Sequence, residues 1–368
     1  MIVSAMRKVV LVTVSLLSVQ TACAADVRRI GAINWDAALP ETTFFGRHAA
    51  RSLGPEKFRD RTPYFAKVVR EGEVKFPERT QADYDREFQY AIDAGIDYFA
   101  YCWYDACPTE GSIVTNLAAR ADGHTAELVK ARIMHMRSFL RERLSLCAIL
   151  IVAHPYSDAA LKQLARTMKE PFYEKVGGRP LVYFFMGKMD ATLPRLRQFC
   201  READAGNPYA VFMDNFGDSP KEDLVAADAL SAYASAHAVS NYAVLTDEAL
   251  KDNAARAKTG KPVIPLFPLG WDPSPRVERP VPWASYAAAT YAPRASDGEI
   301  VEGARRLAAW INENAEACST GHVLAFAWNE FEEGGWICPN YGRAGNADLG
   351  RLAAFQRAAW LLRSGESE

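Results

Sequence analysis

Lysine and arginine never form a run in this sequence. Its 43 basic and 45 acidic side chains are interspersed and leave a formal net charge of −2, so nothing electrostatic favours a nucleic-acid partner. There is no CxxC pair, no HExxH and no Cys/His spacing of a zinc site. The remaining histidines likewise show no ligand spacing, which leaves no motif for a metal or other cofactor. No Gly-rich phosphate turn follows an early strand, where a doubly wound nucleotide-binding sheet needs one. Long hydrophobic runs are also missing. The one early candidate, Val9 to Val19, is too short to span a bilayer.

That short run has its own meaning. Arg7 and Lys8 precede VVLVTVSLLSV, and QTACAAD follows. A basic segment, a short apolar segment and a small-residue cut site read as a secretory signal over residues 1–24, with Ala22 and Ala24 before the cut. The expected mature chain, 25–368, is exported, periplasmic or secreted, and holds no further membrane span. Lipid attachment at Cys23 is disfavoured because Gln20 and Thr21 make a poor lipidation box. Export permits disulfides. Cys102 and Cys107 are close enough to pair, whereas Cys147 and Cys200 sit in apolar or helical patterns and read as buried thiols.

What the chain does have is apolar material, 49% of its residues, with eight Trp and fifteen Tyr. The apolar runs alternate with amphipathic ones. Strands are expected at 29–35, 96–104, 144–153, 181–186, 209–215, 231–236 (SAYASA), 261–270 and 322–330, each followed by a helical pattern. IDYFAYCWY is apolar throughout, as a strand buried on both faces must be. Eight strand–helix units in one stretch of this length predict an α/β fold, a single-domain (β/α)8 TIM barrel. A long Pro- and Arg-containing insertion follows the first strand.

In such a barrel the chemistry gathers where the strands end and the following loops begin. Those positions hold Trp35 and Asp36 after strand one, and Tyr101, Trp103 and Tyr104 at strand two. His154 follows strand three, Asp214 and Asn215 follow strand five, and Tyr233 comes with strand six. Trp271, Asp272 and Arg276 follow strand seven. Trp328, Asn329 and Glu330 end strand eight, with Glu332, Glu333 and Trp336 beyond. Aromatic faces stack on the C–H faces of sugars, and Asp, Asn and Arg bind hydroxyls, so this set suits an oligo- or polysaccharide. Tyr101 and Trp103 equally suit a core, His154 a turn, and Asp214 and Asn215 a cap.

The segment AWNEFEEGGW carries the sharpest signal. Glycosidic hydrolysis needs one protonated carboxyl and one ionised carboxylate. Glu330 at the strand end and Glu333 three residues on, brought back by Gly334 and Gly335, supply such a pair. Trp328 and Trp336 are expected as walls that drive the two pKa values apart. Glu332 is expected to point away.

These residues bear a family resemblance. WNEFEEG resembles the Asn-Glu-aromatic-x-Glu-Gly segment of glycoside hydrolase family 99 and its WbsX-like bacterial relatives. GWDPSPR resembles the Gly-Trp-Asp-x-x-Pro-Arg loop of the WbsX-like branch, and DYDREFQYAIDAGIDYFAYCWY resembles their first helix and second strand. The resemblance implies a retaining α-glycosidase, with endo-α-mannosidase the best-known activity. It implies that Glu330 is the base toward the sugar 2-hydroxyl, which attacks its own anomeric carbon, and that Glu333 is the general acid. Phe331-Glu332 stands where the mannosidases carry Trp-His. Two other classes fit less well. A surface-polysaccharide glycosyltransferase conflicts with the signal segment, and a non-catalytic sugar-binding barrel need not keep both glutamates.

Overall fold

The computed structural model describes residues 29–104, 124–153, 155–214, 221–286, 291–342 and 345–366. Eight parallel strands form a (β/α)8 barrel: β1 Arg29–Asn34, β2 Tyr98–Trp103, β3 Ser145–Ile151, β4 Arg179–Phe185, β5 Tyr209–Met213, β6 Ala229–Ser231, β7 Leu266–Pro268 and β8 His322–Phe326. From β7 through β8 and β1 round to β6 each strand pairs in parallel with its neighbour, with Arg29 opposite His322 and Ala32 opposite Ala325 where β1 meets β8. Between β6 and β7 closure rests on one parallel bridge, Leu230 to Val263. There the Leu230 N–H donates to the Pro262 carbonyl, and the Ile264 N–H to that of Leu230.

Helices cover the outside: α1 Phe44–Leu53, α2 Gln81–Asp93, α3 Lys130–Arg137, α4 Asp158–Met168, α5 Leu193–Glu202, α6 Lys221–Ala226, α7 Tyr242–Ala257, α8 Ser274–Glu278, α9 Asp297–Glu313 and α10 Gly350–Ser364. Their starts are written locally. Thr80 with Asp83, and Ser296 with Glu299, form capping boxes at α2 and α9, each satisfying two backbone donors that a helix start leaves open. Inside the barrel a side chain fills what a glycine vacates. A Cβ on Gly31 would lie 2.1 Å from the Tyr98 ring, and the Tyr98 hydroxyl meets that of Tyr183 at 2.9 Å across the interior.

Most strands fall where the apolar runs predict. Two differ in ways that matter. SAYASA is not strand six: α6 stops at Ala226 and β6 is the preceding Ala229–Ser231. Strand eight does not reach Glu330 either. It ends at Phe326, the Phe326–Ala327 peptide is cis, and Asn329–Glu330 pairs antiparallel with Gly335–Trp336 in a separate hairpin.

The insertion between β1 and α2 carries α1, a short 3-10 turn at Glu56–Arg61, and a hairpin joining Lys67–Arg70 to Glu73–Lys75. It lies over the loops after β7 and β8. Arg61 forms an ion pair with Asp272, the Tyr341 N–H donates to Thr62 O at 2.7 Å, and the Tyr64 N–H donates to Pro339 O at 3.0 Å. The signal-like segment, Cys23, Cys107, His154 and Asn215 lie outside the described residues. Cys102 is a free, buried thiol. No helix among the described residues is long and apolar enough to cross a membrane.

Candidate active site

At the C-terminal ends of the strands lies a cavity of about 550 Å³. Glu330 and Glu333 face it from one side, and the hairpin explains why. The Glu333 N–H donates to Glu330 O at 3.2 Å, turning the chain back within three residues. Gly334 then takes φ +83°, a left-handed value that suits glycine. The Asp272 N–H donates to Glu333 O at 2.7 Å, which fastens this turn to the loop after β7.

Both carboxyls are buried, with Glu330 3% and Glu333 6% exposed. Each takes a phenol: Tyr233 donates to Glu330 Oε1 at 2.7 Å, and Tyr286 donates to Glu333. Arg276, itself buried, faces the group. One guanidinium nitrogen bonds Glu333. The other lies 3.3 Å from Glu332 and 3.7 Å from Glu330. Burial, reinforced by the Glu333 charge and opposed by Arg276, raises the Glu330 carboxyl to about 8, so it keeps its proton at neutral pH. Burial likewise pushes up the Cys102 thiol and the Tyr233 and Tyr286 phenols, which stay neutral beside it.

The remaining walls are mostly aromatic. Trp35, Trp271, Tyr104, Tyr233 and Arg276 line the cavity, as do Phe44, Phe45, Phe185, Met186, Trp283 and Tyr286. Phe185 stacks on Tyr233 at 4.5 Å, Trp283 packs against Trp35 at 5.7 Å and Phe45 at 4.9 Å, and Arg276 lies 5.2 Å over Trp35. The Trp35 Nε1–H donates to the Tyr104 hydroxyl at 2.9 Å. Trp283 and Tyr286 escape a reading of strand ends because they sit in the proline-flanked loop VPWASY, well past β7. The only signal there is two aromatics three residues apart.

Several expected residues serve elsewhere. Trp328 and Trp336 are not walls: both are 0% exposed. Trp328 Nε1 donates to Glu87 Oε1 at 2.8 Å, and Trp336 Nε1 to Asn340 Oδ1 at 2.9 Å. Tyr101 is core and donates its hydroxyl to His135 Nδ1 at 3.1 Å, while Trp103 is buried under the Arg132 guanidinium at 4.0 Å. Three aspartates are engaged in ion pairs, Asp36 with Arg79 at 2.8 Å, Asp214 with Arg256 and Asp272 with Arg61. Asn329 accepts from the Trp35 N–H at 2.9 Å, and so positions a wall rather than forming one. Glu332 stays out of the cavity wall, yet it points into Arg276 rather than to solvent.

Among the described residues no group of His, Cys, Asp and Glu is arranged to hold a metal ion. What the arrangement offers is a neutral carboxyl and an arginine-held carboxyl side by side in an aromatic slot.

A (β/α)8 barrel with a buried acidic pair at its C-terminal rim is the class that fold and site define. No protein-family model matches the sequence, and no curated protein matches it. Solved structures do. The chain is similar to the GH99 endo-alpha-mannosidase from Bacteroides thetaiotaomicron, at 10% identity over 92% of this chain and 99% of that one, with a TM-score of 0.55. A structure described in the same terms, in complex with BIS-TRIS-propane, is 12% identical over 92% and 97%, with a TM-score of 0.50. At that identity the likeness establishes the barrel.

Proposed function

We propose that the protein is a glycoside hydrolase that cleaves an α-linked glycan or polysaccharide, with Glu330 and Glu333 as its acid–base pair. The observation that carries this reading is the pair itself: two buried carboxyls on one aromatic cavity, Glu330 raised by burial and Glu333 bonded to Arg276. Hydrolysis needs that combination, a proton for the leaving oxygen and a negative charge for the opposite partner. The indoles and phenols offer flat apolar faces for sugar rings. The mannosidase likeness of the barrel, together with the WNEFEEG and GWDPSPR segments, favours an endo-acting, mannosidase-like enzyme, and the signal-like segment favours action outside the cytoplasm.

The mechanism that the family pattern suggests needs no separate nucleophile. A carboxylate takes the proton of the 2-hydroxyl, whose oxygen attacks the anomeric carbon as the glycosidic C–O bond breaks. A carboxyl protonates the departing oxygen, and water then opens the anhydro-sugar with retention. The family pattern makes Glu330 the base and Glu333 the acid. The contacts favour the reverse assignment, because Arg276 and Tyr286 bond Glu333 directly while Glu330 lies 3.7 Å from the guanidinium.

The test is hydrolysis of an α-glycan panel that includes α-mannans by the purified mature protein, Glu330→Gln and Glu333→Gln. The wild type is expected to release product, and each variant to lose about 10²–10⁴-fold in rate. Binding without turnover by the wild type would sink the hydrolase reading. A glycoside with an activated leaving group separates the roles, since it rescues whichever variant lacks the acid.

A further inference from the structure

Glu332 is the one member of the acidic run with no place at the cavity wall, yet it is only 4% exposed. Burying a carboxylate is costly unless something is done with the charge. Two contacts account for it. Ser52, near the end of α1 in the insertion, donates its hydroxyl to Glu332 Oε1. Glu332 Oε2 lies 3.3 Å from the Arg276 nitrogen that also faces Glu330 at 3.7 Å. Three carboxyl groups thus share one guanidinium, and the nitrogen nearest Glu330 is closer to Glu332.

We propose that Glu332 is a positioning residue: held by Ser52, it draws on the Arg276 charge that would otherwise serve Glu330, and so fixes the site's proton on Glu330. The inference rests on Glu330 and Glu333 being the reacting pair. The groups facing this cluster are few. From the loop after β7 come Arg276 and Tyr286, from the segment after β6 Tyr233, and from β2 and the residue after it Cys102 and Tyr104. The three phenols and the thiol stay neutral. From α1 comes His48, which senses the Glu332 charge and whose protonation burial and the nearby Arg51 and Arg47 oppose. The Arg61 guanidinium is engaged by Asp272. Removing the Glu332 charge therefore leaves Arg276 to Glu330 and Glu333, and no second cation among the described residues is paired with either of them. The Glu332 charge also acts on Glu330 directly, in the same sense.

The experiment is a carboxyl ¹³C NMR titration of glutamate-labelled protein, with the Glu330 signal assigned by its loss in Glu330→Gln. Two charge-removing variants, Glu332→Gln and Glu332→Met, are compared with wild type and with the charge-keeping Glu332→Asp. Both removals are expected to lower the Glu330 midpoint by about one pH unit, and Glu332→Asp to leave it near the wild-type value. The matching limb of the pH–rate profile on a cleaved glycan is expected to move with it. A folded Glu332→Gln or Glu332→Met that titrates at the wild-type midpoint overturns the inference. Because the titration needs no turnover, a protein inactive on every glycan but showing the shift would remove the hydrolase reading and leave the proton assignment standing.

Discussion

A carboxyl held neutral by burial is a liability to the fold that carries it. The folded value for Glu330 is about 8, whereas an unfolded glutamate titrates near ~4.3. Between those values the native state keeps a proton that the unfolded state releases. Stability therefore falls as pH rises through this window, and the loss is complete above about 8. Glutamine at this position has nothing to release. Glu330→Gln is thus expected to be catalytically impaired yet more stable than wild type at pH 8, with the advantage gone at pH 4. Urea midpoints at the two values measure it, and an advantage of equal size at both would refute the buried-proton account. The sequence made this pair legible, since both glutamates could be read from their spacing and the Gly-Gly turn. It could not locate the indoles beside them. Trp328 and Trp336 lie beyond a strand that stops at Phe326, and each turns to a buried acceptor, Glu87 or Asn340, far away in sequence or known only once the loop is folded.

At the scale of elements, the Asn329–Trp336 hairpin is what converts a run of acids into a site. Its weak point is Gly334. A Cβ there would lie 2.8 Å from the Asp272 nitrogen, at φ +83°, so both backbone strain and a collision with the loop after β7 oppose it. Gly334→Ala is expected to cost ~1–3 kcal/mol from the backbone alone and to lower activity further by moving Glu333. Gly260, at φ +77° but with open space around it, is the control. Its alanine variant shares the strain and is expected to keep activity, so equal losses in both would show that displacement of Glu333 plays no part. The barrel strands were legible for a physical reason: burial on both faces demands continuous apolar runs, as in YFAYCW. β6 was not, because three residues carry no periodicity, and ALS is no more strand-like than the AYASA that follows it. Trp283 and Tyr286 were missed for a related reason, since a loop has no alternation to reveal which side chains turn inward.

Across the whole molecule, buried titratable groups pull stability in opposite directions with pH. His135 is enclosed against Phe88 at 4.6 Å, and Leu144 O can only accept, so Nε2 carries the hydrogen and Nδ1 accepts from Tyr101. Burial lowers this imidazole to about 4. The unfolded histidine gains its proton near ~6.5, so stability is lost as pH falls from there toward 4. At Glu174, burial alone would raise the carboxyl, but the bonds from His322 and Arg29 outweigh it and hold it low. Its contribution is present above the ordinary glutamate value and is lost as pH falls through the lowered one. Glu330 and Glu87, both raised chiefly by burial, act the other way. The thermal midpoint of the wild type is therefore expected to peak on the acid side of neutrality, and Glu330→Gln to move that peak upward. Melting curves taken from pH 4 to 9 on both proteins check it, and a peak that stays in place contradicts the opposing pulls.

The single bridge between β6 and β7 has a consequence for how the barrel breathes. β2 and β3 are zipped by six residue pairs, whereas the seam has the bridge of Leu230 to Val263, the two backbone hydrogen bonds around it and the Ser231 hydroxyl donating to Ile264 O at 2.8 Å. Local opening draws on the least-tied ladder first. The amides of Leu230 and Ile264 are accordingly expected to exchange with deuterium well before those of Ala100 and Ala148, and equal protection would refute a weak seam. Tyr233 and Trp271 stand just beyond the two strands that part there. The part of the barrel wall that opens most readily is thus flanked by two of the rings that line the cavity.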